Sequence, residues 1–248
     1  MQFPRSNEQV QSQAYKAATY DEGLRSYLLG VYNYMASAVL LTGIIAYLAG
    51  TSEAFMQMML TMNASGAVSL SPLAYLVMFA PVGVVIYLSV RIHALSASAA
   101  KTWFFGYAAL MGLSLYYVFA LYTGVSVARV FFITAGTFGA MSLYGYTTKK
   151  DLSSMGSFLL MGLVGIILAS LVNLFLHSSA LHLAVSVIGV LIFVGLTAYD
   201  TQKIKNTYYA VAGHSEAMGK AAIMGALSLY LDFINLFIML LQFFGQRR

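Results

Sequence analysis

Long apolar stretches, separated by short polar segments, make up most of the chain from Tyr27 onwards. Each stretch is close to the roughly 20 residues that a helix needs to cross about 30 Å of hydrocarbon. We predict seven spans at 27–49, 73–90, 102–122, 130–146, 158–176, 181–201 and 222–244. A membrane β-barrel would instead need short segments of alternating polarity. The pattern therefore predicts an all-α membrane protein built as a bundle of seven transmembrane helices.

The polar segments divide the chain further. Residues 1–25 are polar and predict a cytoplasmic N-terminal tail, followed by one transmembrane domain over 26–248. The Met-rich segment 50–72 fits a short helix at the membrane interface or a loop packed on the bundle. The polar stretch 206–219 predicts a loop between the last two spans. Pro81 removes one backbone hydrogen bond from the second span and should bend it.

Composition supports the membrane class. The chain is 60% hydrophobic and 8% charged, whereas soluble domains carry about 25% charged residues. It contains no cysteine, which excludes disulfides, zinc–thiolate sites and iron–sulfur clusters. The formal net charge of +5 is spread over the loops rather than gathered on one face, so we expect the lipid bilayer, and no nucleic acid, as a partner.

The distribution of basic residues predicts the orientation, because Lys and Arg are retained on the cytoplasmic side. With the N-terminus inside, the inner segments hold Arg5, Lys16, Arg25, Arg91, Lys101, Lys149, Lys150, Lys203, Lys205 and Lys220. The outer side then holds only Arg129, Arg247 and Arg248. We therefore expect a C-terminus outside. A basic C-terminal tail on the inside would instead require six full spans or a re-entrant last segment.

Two carboxylates lie inside the apolar stretches, Asp200 in the sixth span and Asp232 in the seventh. An ionised Asp at the centre of a span costs about 2.5–3.5 kcal/mol on insertion scales, so its presence indicates a function. Their midpoint, residue 216, is near the centre of the predicted loop, which predicts that both acids reach a similar depth and face each other. Two such carboxylates should share one proton near neutrality and titrate as a unit.

When both acids are ionised, they form an oxygen-rich site that suits Ca²⁺, and less readily Mg²⁺. Tyr199, Thr201, Asn235 and Asn173 are candidate supporting groups. Two carboxylates are too few for a tight calcium cage, so a weak site on a conduction path fits better. The alternative is that each Asp only bonds neighbouring helices together, or that Asp200 caps a helix near the water surface.

Arg91 closes the second span on the same side as Asp200. A guanidinium–carboxylate pair is strong and directional, so Arg91 is a candidate latch that holds the bundle shut. A basic side chain that anchors the span at the interface is the alternative, and position alone leaves both open.

Three segments carry a resemblance to a known family: AYDTQKI at 198–204, LSLYLDFINLFIMLLQFFG at 227–245, and the stretch from SLYGYTTKK to LASLVN at 142–173. They resemble the Bax inhibitor-1 family, also called transmembrane Bax inhibitor motif proteins, in its proteobacterial branch. The resemblance covers about residues 25–245. The YDTQ and LYLDFINLF elements are specific together, whereas either alone is weak.

This resemblance implies a seven-helix bundle with the last helix at the centre, and a pH-sensitive calcium leak with no enzymatic activity and no cofactor. It also implies an aspartate pair between the last two helices, which falls on Asp200 and Asp232, and a latch arginine that falls on Arg91. Bacterial relatives lie in the inner membrane, and some associate with a membrane-bound AAA protease. Some relatives carry an acid in the second helix, but 73–90 holds none.

Two other functions compete with the leak. One is a non-transporting regulator or adaptor that binds a membrane protease or a stress-response partner. The other is an intramembrane aspartyl protease, whose first motif matches Tyr199–Asp200. Its second motif, Gly-x-Gly-Asp, is replaced here by Leu-Tyr-Leu-Asp at 229–232. Its later Pro-Ala-Leu element is missing, since Pro81 is the last proline of the chain, and these departures disfavour a protease.

Overall fold

The computed structural model describes residues 5–62 and 68–248, with side chains from Glu22 onwards. Its helices are α1 (Arg5–Thr51), α2 (Glu53–Met59), α3 (Pro72–Arg91), α4 (Ala97–Ser114), α5 (Tyr116–Leu121), α6 (Gly124–Thr147), α7 (Ser153–Leu176), α8 (Ser179–Val211) and α9 (Ser215–Phe244). Seven helical segments, with α4 and α5 counted together, are long and apolar enough to cross a membrane. The predicted all-α bundle of seven spans is confirmed.

Short polar side chains fix where several spans begin. Ser71, Ser96, Thr123 and Ser178 precede helices α3, α4, α6 and α8. In each case the hydroxyl oxygen accepts a hydrogen bond from the backbone N–H three residues later, at 3.1–3.4 Å. These caps satisfy a donor that the first turn of a helix leaves free, and they explain why the spans begin where they do.

Helix α9 lies at the centre of the bundle, as expected, and packs against α1, α4, α6 and α8. Tyr230 is fully buried, with the rings of Phe104 and Tyr107 at centroid distances of 6.1 and 5.6 Å. The hydroxyl of Thr42 donates to the Ala108 carbonyl at 2.8 Å, so the Tyr230 hydroxyl donates to Thr42 at 2.6 Å. The middle of the bundle around Tyr230 is therefore filled by closely packed aromatic side chains.

Two close crossings hold α6 and α7 on α8. Gly145 of α6 lies against the backbone of Ala198, where a Cβ atom would overlap the carbonyl oxygen, and Gly156 of α7 lies against the Tyr199 ring. Helix α7 packs mainly on α8 and turns most of its apolar side chains outward. A groove is consequently left between α7 and α9, with α8 as its floor.

The predicted loop at 206–219 is wrong. Helix α8 continues to Val211 and α9 begins at Ser215, so the connection is only residues 212–214. Gly213 permits this tight turn with a φ of +89°. The polar residues on either side remain helical, because backbone hydrogen bonds within a helix continue when the helix extends beyond the apolar layer.

The segment between the first two spans combines features of both alternatives. The short helix α2 is followed by a hairpin of β1 (Leu60–Met62) and β2 (Val68–Leu70), with Leu60 paired to Leu70. Residues 63–67 lie outside the described part. Helix α3 continues past the buried Pro81 as a single helix.

The bundle has two distinct ends. The basic end is formed by the α3–α4, α6–α7 and α8–α9 connections, beside which lie Arg91, Lys101, Lys149, Lys150, Lys203, Lys205 and Lys220. At the opposite end, the C-terminal tail pairs with the α5–α6 turn. There Arg247 bridges to Tyr122, and the Thr123 N–H donates to the Gln246 carbonyl at 3.0 Å. Helix α9 thus runs the whole length of the described bundle as one continuous helix, as a full span does and a re-entrant segment does not.

A candidate ion site lined by the two membrane acids

A cavity of about 590 Å³ occupies the groove between α7, α8 and α9, and both membrane acids line it. We call it the acid cavity. Its polar lining consists of Ser170 from α7, Tyr199, Asp200 and Lys203 from α8, and Ser228, Asp232 and Asn235 from α9. The remaining lining is aliphatic or aromatic, with α7 contributing mostly leucine and isoleucine. The cavity therefore combines a charged floor with an apolar outer wall.

Asp232 is the deeper of the two acids, with 4% of its surface exposed. Its Oδ2 atom is buried and has no hydrogen-bond partner within 5–62 and 68–248. Asp200 is half-buried and lies closer to the basic end. An ionised oxygen that is buried without a partner is costly. The arrangement therefore favours a proton, a water molecule or a cation at Asp232.

The packing of α8 on α9 sets the relative depth of the acids. Gly225 faces Ile204 and Gly189 faces Met239. This register places Asp200 level with Ser228, so Asp232 lies about 6 Å further along the helices, which is one turn. The predicted similar depth is thus refined to an offset of one turn, because the connection is centred at Gly213 rather than at residue 216. The two acids nevertheless line the same cavity.

Lys203 brings a positive charge into the acid cavity. It follows Asp200 by three residues, which places both side chains on one face of α8. Its ammonium lies 5.9 Å from the ring centre of Tyr199, and its charge acts favourably on the Asp200 carboxylate. From the sequence, Lys203 was assigned only a role in orientation, although its three-residue spacing from Asp200 is a signal that places it in the site.

The four predicted supporting groups are split by the fold. Tyr199 and Asn235 line the acid cavity, and the Asn235 amide nitrogen donates to the Leu231 carbonyl at 2.8 Å. Thr201 is buried instead against α1, where its hydroxyl shares a 3.3 Å hydrogen bond with that of Tyr32. Asn173 lies near the opposite end of the bundle and accepts a 2.9 Å hydrogen bond from a backbone N–H.

Arg91 is the last residue of α3, where its side chain is exposed. Helix α3 packs on α4, and Arg91 is not among the residues that line the acid cavity. Among the described side chains it has no ion-pair partner within 4.0 Å. The structure therefore does not bring Arg91 to Asp200, and its roles as latch or anchor both stay predictions.

The donor set of the acid cavity is that of a weak site. In the part of the chain that the structure describes, no cluster of three or more His, Cys, Asp or Glu side chains forms a metal centre. Two carboxylates with neutral oxygens nearby suit hard cations such as Ca²⁺, which prefer six to eight oxygen ligands. Chemically, the site is suited to bind and release protons and to hold a divalent cation briefly.

Comparison with known proteins relates the whole bundle to a family. A family model described as "Inhibitor of apoptosis-promoting Bax1" matches residues 24–248. The chain is 50% identical to protein RP147 of Rickettsia prowazekii over 233 residues, which is 94% of each chain. It is 48% identical to the inner membrane protein YbhL of Escherichia coli strain K12 over 247 residues, which is 99% of each chain. The family match therefore covers all seven predicted spans.

Proposed function

Because the chain belongs to the Bax inhibitor-1 family, we propose that it is a passive, pH-sensitive leak for calcium in a bacterial inner membrane. The location is supported by the similarity to the E. coli inner membrane protein. The basic end supports a cytoplasmic N-terminus, since Lys and Arg mark that side. The bilayer and calcium are its partners in this proposal, and the acid pair carries out no enzymatic reaction and needs no cofactor.

One observation carries the proposal: a buried carboxylate oxygen without a hydrogen-bond partner in the described residues shares a cavity with a second acid. A purely structural Asp would be expected to bond a neighbouring helix. Asp232 instead lines the acid cavity and keeps its buried Oδ2 atom unpaired among the described residues, so a proton or a cation can satisfy that oxygen. Because only two acids contribute, a cation held there can also leave, as conduction requires.

We propose that protonation of the pair controls the leak. The titratable groups that face the acids in the cavity are Tyr199 and Lys203, and α7 contributes none. With both acids ionised and Lys203 positive, the site keeps one net negative charge and attracts cations. A shared proton cancels that charge, and the change biases how α8 and α9 pack. Arg91 takes part as a latch if α3 moves toward Asp200.

Calcium flux into proteoliposomes tests this proposal. The purified protein is reconstituted with a calcium-sensitive dye inside the vesicles, and the initial flux is measured from pH 5 to pH 8. We expect the Asp200→Asn/Asp232→Asn variant to lose most of the flux, because the site then lacks the negative charge that attracts cations. The remaining flux should not depend on pH, because neither Asn can take up or release a proton.

Asp151 provides the matched control. It is exposed in the α6–α7 connection, and its Oδ1 accepts hydrogen bonds from the Ser153 N–H at 2.9 Å and hydroxyl at 2.7 Å. These bonds hold the pKa of Asp151 below its usual value, so it stays ionised at neutral and mildly acidic pH. Asp151→Asn should leave the flux and its pH profile unchanged.

An unchanged flux and pH profile in the double variant would refute the site. A wild-type protein without flux, and with an associated membrane-bound AAA protease after purification in mild detergent, would instead favour the adaptor role. The aspartyl protease is separated by the fate of a fluorogenic transmembrane peptide, which a leak leaves intact.

A further inference from the structure

The acid cavity adjoins a second cavity that lies nearer the opposite end of the bundle. This second cavity, of about 730 Å³, has a polar lining that includes Asn173, His177, His182, Gln242 and Arg247, and we call it the histidine vestibule. Ser170, Leu174 and Met239 line both cavities. The two cavities therefore lie end to end along α7, α8 and α9, in line from the two acids to the end where the C-terminal tail lies.

An apolar step separates the polar linings of the two cavities. On the α8–α9 register, Asn235 is level with Phe193, and Gln242 is level with Ser186, to which it is hydrogen-bonded. The level of Asn235 and the level of Gln242 are separated by seven residues, or about 10 Å along α8. Within it Met239 projects between the two cavities, and its thioether packs against Gly189.

No comparable path crosses the middle of the described bundle, because Tyr230 and its aromatic neighbours fill it. The polar side chains that line the acid cavity and the histidine vestibule are instead aligned on the α7–α8–α9 face. A narrow apolar stretch between two wet, polar chambers blocks ions by excluding water, and it opens when it widens or becomes polar.

We infer that calcium crosses along the α7–α8–α9 face and that Met239 is the hydrophobic gate of this route. This inference rests on the proposed leak function and assigns its path. Helix α7 forms the outer wall and packs mainly on α8, so a displacement of α7 widens the step without disturbing the buried α9 core. The acids select and hold the cation on the basic-end side of the gate, and Met239 limits its passage to the histidine vestibule.

The absence of cysteine makes the native chain a background for single-cysteine labelling. Ser170→Cys introduces a thiol where the two cavities join, and a charged methanethiosulfonate reagent should slow calcium flux by roughly threefold or more once it occupies the path. Ser157→Cys is the control, since Ser157 is an exposed serine of the same helix that lines neither cavity.

A second variant tests the gate directly. Met239→Ser should raise flux roughly threefold or more, because a hydroxyl lets water enter the step. Met161→Ser is its control, as Met161 faces outward from α7 at a similar depth. Thermal unfolding in detergent confirms that each variant is folded, and the labelling of Ser170→Cys remains informative if Met239→Ser does not fold.

The outcomes distinguish the two proposals. A wild-type protein that carries calcium, with flux unaffected by both changes, overturns the α7–α8–α9 route and leaves the leak in place. A wild-type protein that carries no calcium overturns the proposed function, and the route falls with it. Slower flux in labelled Ser170→Cys and faster flux in Met239→Ser, with both controls unchanged, establish the path.

Discussion

Asp232 shows how function and stability oppose each other at a single residue. The carboxylate lies on the most buried helix of the bundle, and its Oδ2 atom finds no partner among the side chains that the structure describes. Asn235, one turn away, does not bond this oxygen; its amide N–H donates to the Leu231 backbone carbonyl instead. A sequence selected only for stability would place a neutral or apolar group at this position.

We therefore predict that Asp232→Asn stabilises the protein at neutral pH. Asn has nearly the same shape without the charge, so the variant avoids a burial cost of about 1–3 kcal/mol. Its melting temperature in detergent micelles should exceed that of the wild type at pH 7.5. The difference should shrink at pH 5, where the wild-type acids are closer to neutral, whereas Asp151→Asn should show no gain. A lower melting temperature at both pH values would mean that Asp232 is held by native interactions.

At the scale of the elements, apolar length is the most readable signal in the chain. It predicts the seven spans, because a membrane helix satisfies its own backbone and needs only an apolar surface of sufficient length. The same signal misses the ends of α8 and α9, since the polar residues from Asn206 to Gly219 continue both helices into water. The offset of Asp200 and Asp232 was missed for the same reason.

Contacts between helices are harder to read from the sequence. Gly145 and Gly139 lie on one helix and look equivalent in the sequence. In the structure, Gly145 touches the backbone of α8, whereas Gly139 has open space beside it. Likewise Thr201 and Asp200 are neighbours, but only Asp200 lines the acid cavity, because Thr201 bonds Tyr32. Such assignments depend on the rotation of each helix, which uniformly apolar spans leave undetermined.

Gly145 gives the test at this scale. We predict that Gly145→Ala lowers the free energy of unfolding by about 1–3 kcal/mol, because the new methyl group would overlap the Ala198 carbonyl and force α6 away from α8. Gly139→Ala, on the same helix, should be neutral or slightly stabilising. Urea or heat unfolding in a single detergent measures both. Equal losses in the two variants would contradict the close α6–α8 crossing.

For the whole molecule, an odd number of crossings separates the two termini. Helix α9 ends beside the α5–α6 turn, where the Arg248 N–H donates to the Leu121 carbonyl at 2.9 Å. The lysines beside the α3–α4, α6–α7 and α8–α9 connections cluster at the other end. The two basic residues of the tail were the one dissenting sign in the sequence. Their backbone pairing with the α5–α6 turn explains how they are held there despite their charge.

A reporter fused to the C-terminus tests this topology. We predict that alkaline phosphatase joined after Arg248 is active in bacterial cells and that a green fluorescent protein joined there is dark, because seven crossings from a cytoplasmic N-terminus would place the tail outside the cytoplasm. Fusions at Gly213, in the α8–α9 turn, should give the opposite result and serve as the control. If phosphatase is inactive at both positions, α9 does not cross the membrane. The acid cavity would then have no second mouth, and a transmembrane leak along α7, α8 and α9 would be geometrically impossible.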